Sequence, residues 1–129
     1  MLDVDRFKQI NDNFGHAVGD KVLYKVGHLL KSSFRENDII GRVGGDEFLI
    51  FMKGVTSEEF VTRRMKILIQ HFHELPVEEI KDHRLTCSIG AAFMPKDGIT
   101  FDSLYRNADE ALYRTKRNGR DGFSIYRKV

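Results

Sequence analysis

Two carboxylates, Asp46 and Glu47, follow two glycines, Gly44 and Gly45, between the apolar runs Ile39-Ile40 and Phe48-Leu49-Ile50-Phe51. Adjacent carboxylates suit a hard divalent cation bound through oxygen. A third carboxylate, Asp3, closes a short opening segment. If that segment and the 44–48 stretch neighbour each other in a sheet, Asp3 and Asp46 meet at one cation, with substrate phosphates as the natural co-ligands. Arg6, Phe7 and Lys8 come next, where backbone N–H groups at a strand-to-helix turn make an anion cradle and Lys8 adds a positive charge. Phe7 itself reads as a core residue. Simpler readings exist for each: a strand-end acid at Asp3, turn chemistry at Asp46, a cross-strand Arg42–Glu47 ion pair, a solvated Lys8.

These residues need elements to hold them. Paired glycines between apolar runs predict a tight hairpin, Ile39 to Val43 and Glu47 to Met52, with both glycines at φ > 0, Val43 facing Asp46 and Arg42 facing Glu47. Both faces of Phe48 to Phe51 are apolar, which predicts a strand inside a covered sheet. Met1 to Val4 reads as a strand and Arg6 to Phe14 as a short helix or turn. Helical spacing marks Val22, Leu23, Val26, Leu29, Leu30 and Phe34. Thr56 or Ser57 caps a second amphipathic segment with Val61, Met65, Leu68, Ile69 and Phe72. Pro76 to His83 reads as a polar connection, Leu85 to Phe93 as a strand, and Pro95 to Gly98 as a turn. Thr100 caps a last helix with its stripe at Phe101, Leu104, Tyr105, Ala108, Ala111, Leu112 and Thr115, stopped by Gly119. Phe123 to Arg127 is the final strand. Strands and amphipathic helices intermix in one α/β or α+β domain over residues 1–129, with a sheet packed by helices.

With 129 residues, 41% hydrophobic and 31% charged, the chain is an ordinary single globular domain. A net charge of +2, with dispersed basic residues and no aromatic platform, argues against a nucleic-acid binder. No run approaches a membrane span and no leader is visible, so no membrane contact by this domain is expected. One cysteine, Cys87, reads as a small buried strand residue and fits a reducing, cytoplasmic setting.

Three further segments carry a resemblance. Residues 2 to 12 read LDVDRFKQIND, followed by Phe14-Gly15-His16 and Gly19-Asp20, and residues 107 to 121 read NADEALYRTKRNGRD. With Gly44 to Phe48, these closely resemble GGDEF-domain diguanylate cyclases, in the family's order and spacing, from Leu2 to about Phe123. The resemblance implies a fold similar to the palm of nucleotidyl cyclases and polymerases: a central, mostly antiparallel sheet flanked by helices. It implies condensation of two GTP into cyclic di-GMP with release of pyrophosphate, using Mg²⁺ or alternatively Mn²⁺.

By the same resemblance, Asp3, the backbone carbonyl of Val4 and Asp46 bind the metal. Glu47 gives a second metal contact or activates the 3′-hydroxyl. Gly44 and Gly45 admit the nucleotide, while backbone amides near Phe7 and the Lys8 ammonium contact the β- and γ-phosphates. Asn11 and Asp20 read guanine, whose N1–H and 2-amino group are donors that a carboxylate accepts. Lys116 and Arg120, spaced i, i+4 at the end of the last helix, hold terminal phosphates. Their simpler reading is complementation of the helix dipole. His16 reads as structural. Arg35 and Asp38, three apart and upstream of the hairpin, match the family's inhibitory product site, with Arg64 as a further contact. Cyclic di-GMP is then both product and inhibitor.

The chain also departs from the pattern. The family's helix before the first strand has no counterpart, which predicts a partly uncovered sheet face and, with it, association or poor solubility. Each family domain holds one GTP, so activity implies a homodimer, with a sensory or dimerising domain upstream in the full-length protein. The competing readings are a non-catalytic module that binds GTP or cyclic di-GMP and a truncated domain inactive in isolation. Retention of Asp3, Asp46 and Glu47 favours the enzyme.

Overall fold

The computed structural model describes residues 1–127. Five strands, β1 (Leu2–Val4), β2 (Ile39–Arg42), β3 (Glu47–Phe51), β4 (Cys87–Ala91) and β5 (Gly122–Ile125), form one sheet in the order β2-β3-β1-β4-β5. Every pairing is antiparallel except β4 with β5. That parallel pair needs a crossover, and the last long helix supplies it. The mostly antiparallel sheet flanked by helices agrees with the architecture read from the sequence. No described helix is long and apolar enough to cross a membrane.

Helices α1 (Phe7–Phe14), α2 (His16–Ser33) and α3 (Glu58–Glu74) pack on one face of the sheet, and α4 (Phe101–Arg117) packs on the other. Strand alternation sorts the side chains. Leu2, Val4, Phe48, Cys87 and Ile89 enter the main core with Val22, Val26 and Leu30 of α2 and Met65, Leu68 and Phe72 of α3. Burial pushes the Cys87 thiol well above its ordinary range, so it behaves as an inert core residue. Ser57 caps α3 by accepting from Phe60 N at 3.1 Å, and Thr100 caps α4 with Ser103 in a reciprocal box. The 76–83 connection is less polar than expected: Val77 and Ile80 are buried, and Glu78–Ile80 forms a 3₁₀ turn.

The helix α4 presses close to β4. A Cβ on Gly90 would lie 2.2 Å from Leu112 N and 2.3 Å from Ala108 O, so only glycine permits this approach. Thr115 Oγ1 donates to Ile89 O at 2.8 Å and fastens the far end of the helix to the same strand.

Two expectations change. The hairpin is not a two-residue turn: Arg42 pairs with Phe48, and Val43 N donates to Glu47 O at 2.9 Å, leaving a three-residue loop, Gly44 to Asp46. Neither loop glycine has a positive φ. Arg42 Nε instead donates to Gly44 O at 3.1 Å and Gly45 O at 3.0 Å, and no Arg42–Glu47 ion pair forms among the described residues. The β3 strand is also less covered on its α4 side than expected. Phe48 is buried, but Phe51 is 43% exposed, and Ile39 at 56% and Phe101 at 60% are exposed too. Leu49 packs with Ala108 and Leu112, so the α4 side of β2 and β3 is partly open.

Candidate active site

Because Leu2 and Val4 turn into the main core, Asp3 turns to the opposite face, toward α4. There it is 6% exposed, and Lys116 Nζ of α4 donates to its Oδ2. Its Oδ1 is buried with no hydrogen-bond partner. In the β1–β3 ladder, Asp3 stands directly opposite Glu47, while Asp46 anchors the loop by accepting from Val4 N at 3.1 Å through its backbone oxygen. The two strands are thus neighbours, as a shared cation requires.

The electrostatics show a site with excess negative charge. Burial raises the Asp3 carboxyl above its ordinary value; Lys116 opposes this, and Asp46 and Asp5 add to it. Glu47 is raised too, by burial first and then by Asp3 and Asp109. Among the described residues no three His, Cys, Asp or Glu side chains close into a cage. A partnerless buried carboxylate oxygen beside two further acids fits a hard cation that takes its other ligands from phosphate and water.

The helix α1 follows β1 after Asp5 and Arg6. Its N-cap, Arg6, is left-handed at φ 54° and no side chain caps the helix, so the first amides are available to an anion. Phe7 packs against the main core, as read from sequence, and Lys8 is exposed. Asn11, one turn on, has a buried Oδ1 without a partner. Its amide occupies the space over Gly19, where an added Cβ would come within 1.8 Å of Oδ1. Next to Gly19, Asp20 is exposed and lines a cavity of about 660 Å³ with Leu23, Tyr24, His28, Lys31 and Arg42. The cavity therefore runs from α2 to the residue that braces the hairpin loop. His16 opens α2 and is exposed, without a side-chain hydrogen bond among the described residues.

Lys116 and Arg120 do not share a helix. The helix α4 ends at Arg117, Gly119 follows at φ 108°, and Arg120 and Asp121 are left-handed at φ 62° and 47°. The i, i+4 helical spacing therefore does not describe this pair. The conspicuous residue missed in the sequence is Asp5. It is buried and accepts from Ser88, Thr86 and the backbone of Asp121. A DxD spacing was its only signal.

Arg35 and Asp38 sit in the loop between α2 and β2. Asp38 closes that loop: Oδ2 accepts from Arg35 N at 3.0 Å and Oδ1 from Lys53 N at 3.1 Å. Arg35 is half exposed, with one guanidinium nitrogen donating to Lys53 O. Arg64, on α3, places its guanidinium 5.9 Å from the centre of the Phe60 ring.

Residues 1–122 match the family model described as "Diguanylate cyclase, GGDEF domain". A diguanylate cyclase of Vibrio cholerae is 38% identical over 127 residues; the match takes in 98% of this chain and 39% of the relative. The chain thus spans about two fifths of that relative's length. Among solved structures, the isolated GGDEF domain of TpbB from Pseudomonas aeruginosa is 32% identical with a TM-score of 0.90, covering 98% of this chain and 74% of that one. The GGDEF domain of DgcB from Caulobacter crescentus, in complex with cyclic di-GMP, is 28% identical with a TM-score of 0.83, covering 96% and 74%.

Proposed function

The chain belongs to the GGDEF family of diguanylate cyclase domains, and we propose that it joins two GTP molecules into cyclic di-GMP, releasing two pyrophosphates. The observation that carries this is the β1–β3 register, which sets Asp3, with its partnerless Oδ1, opposite Glu47 and beside the loop bearing Asp46.

Each residue then has a task. Asp3, Asp46 and the Val4 carbonyl hold Mg²⁺ or Mn²⁺. When bound, the cation offsets triphosphate charge and favours in-line attack of a 3′-hydroxyl on an α-phosphate. Glu47 adds a second metal contact or accepts the 3′-hydroxyl proton. The amides at the start of α1, with Lys8, bind the β- and γ-phosphates, and Lys116 and Arg120 hold the terminal phosphates. Lys116 already sits on Asp3, so it can neutralise either the carboxylate or an incoming phosphate. Asn11 and Asp20 take the guanine edge, and the buried Asn11 Oδ1 supports that reading because an unpaired acceptor wants a donor. A Cβ on Gly45 would meet nothing within 4 Å, and its φ is not positive. The fold itself makes no demand for glycine there, which supports close approach by a nucleotide.

One chain holds one GTP, so the reaction takes two chains face to face. A sensory or dimerising domain joined to this one would regulate that encounter. GTP supply and the unpaired Cys87 support a cytoplasmic setting for the reaction. Cyclic di-GMP also inhibits, through Arg35, Asp38 and Arg64. Because both Asp38 oxygens are engaged in closing the loop, Arg35 is the principal contact.

The test is incubation with GTP and Mg²⁺, with and without a dimerising coiled coil fused to the N-terminus, and chromatography of the products. Cyclic di-GMP is the expected product; none from the forced dimer refutes the catalytic reading. Product binding is read by calorimetry, where Arg35→Ala is expected to abolish it.

A further inference from the structure

Asp5 is a buried carboxylate to which the proposed chemistry gives no task. It is 6% exposed and stands two residues after Asp3, an arrangement that invites reading it as a second metal ligand. Its bonding argues otherwise. Oδ1 accepts from Ser88 Oγ at 2.6 Å; Oδ2 accepts from Thr86 Oγ1 at 2.8 Å and from Asp121 N at 3.0 Å. Asp3 keeps an oxygen without a partner, whereas both oxygens of Asp5 are taken.

Two of those bonds lie within the sheet's own neighbourhood. The third reaches the turn between α4 and β5, where Gly119, Arg120 and Asp121 are all at positive φ. Consecutive left-handed residues with side chains are disfavoured and persist only where the surroundings hold them. Three contacts do so here: Arg120 N to Thr115 O at 3.0 Å, Asp121 N to Asp5, and Asp121 Oδ1 with His73 Nε2 at 2.6 Å. Arg120 lies between these anchors, and its own guanidinium makes no hydrogen bond among the described residues. The turn is fixed, and the cation it carries is left available.

We propose that Asp5 is a positioning residue: by holding the Asp121 amide it fixes the left-handed turn from which Arg120 grips the terminal phosphates of the nucleotide. This rests on the assignment of Arg120 to those phosphates. It gives the two acids at the end of β1 separate tasks, one toward a cation and one toward the backbone that presents a cation of the protein's own.

Tripolyphosphate with Mg²⁺, titrated calorimetrically onto the whole chain, reads the phosphate grip apart from guanine recognition and turnover. Asp5→Ala, which removes the acceptor of the Asp121 amide, is expected to weaken binding about tenfold, and Arg120→Ala by a similar factor. The double variant is expected to bind no more weakly than Arg120→Ala alone, because both losses act through one guanidinium. A purely structural Asp5 would give penalties that multiply, or a less stable protein with unchanged affinity; either result overturns the proposal, as does a wild-type chain that binds no tripolyphosphate. Should Asp5→Ala not fold, hydrogen exchange in the wild type decides. The Asp121 amide is expected to be protected like the amides of β4, and exchange at the rate of an exposed loop overturns the proposal. Formation of cyclic di-GMP from GTP is scored separately, so a failure of catalysis with the coupling intact counts against the proposed function and not against Asp5.

Discussion

At the scale of single residues, burial first and then mutual repulsion raise the acids of β1 and β3, and Lys116 offsets only part of this. Asp3→Asn removes one proposed ligand and one of those buried charges. Cyclic di-GMP formation is expected to fall at least about a hundredfold, while the melting temperature holds or rises. The carboxyls of Asp3 and Glu47 are raised from their ordinary values of 3.8 and 4.5, so the folded chain keeps these protons to higher pH than the unfolded chain. In the window just above those values the folded state binds more protons, and this contribution to stability falls as pH rises. The urea midpoint in EDTA should therefore fall less between about pH 4 and about pH 7 in Glu47→Gln than in the wild type. Gly19→Ala drives a methyl into Asn11 Oδ1, 1.8 Å away, and is expected to raise KM for GTP about tenfold, with little change in melting temperature. That Asp3 and the Asp46–Glu47 stretch would lie on neighbouring strands was legible chiefly through the family resemblance, since each acid also had a simpler structural reading. Asp5 was not, because a carboxylate held by a distant backbone amide, 116 positions along the chain, leaves no local pattern.

At the scale of elements, amphipathic helices were legible because burial repeats with the helical period: Val61, Met65, Leu68 and Phe72 of α3 are all buried, as their spacing implied. The hairpin register was not. Gly44-Gly45 suits a two-residue turn, but Arg42 spends its Nε on the glycine carbonyls and a three-residue loop results. The difference of one residue matters because it sets Arg42 opposite Phe48 and not opposite Glu47. Arg120 escaped for a similar reason: Gly119 was read as a stop, yet the spacing was still counted along a helix. The packing of α4 on β4 has a direct test. Gly90→Ala sets a methyl against backbone atoms of Leu112 and Ala108 that cannot rotate away, so the helix must lift. A loss of about 1–3 kcal/mol in chemical denaturation is expected. Since Lys116 rides on that helix, product formation should drop by more than the folded fraction does.

At the scale of the whole molecule, the proposed reaction joins two nucleotides, one held by each of two chains. Specific activity is therefore expected to rise with chain concentration, and fusion to a dimerising coiled coil should raise it about a hundredfold at micromolar chain. A rate per chain that is independent of concentration, with no gain on fusion, would argue for a monomeric reaction. The open α4 side of β2 and β3 bears on the same measurement, since apolar Ile39, Phe51 and Phe101 on that face favour association that is not productive. The short strand β1 has a consequence of another kind. It lies at the middle of the sheet, yet Leu2 pairs with Phe48 on one side and Ile89 on the other, both far along the chain. A ribosome making this chain releases Asp3 well before the strand that closes the second side of β1. Until β4 emerges, β1 keeps an unpaired edge, so the growing chain carries the site's first carboxylate on a strand open to its neighbours on the polysome.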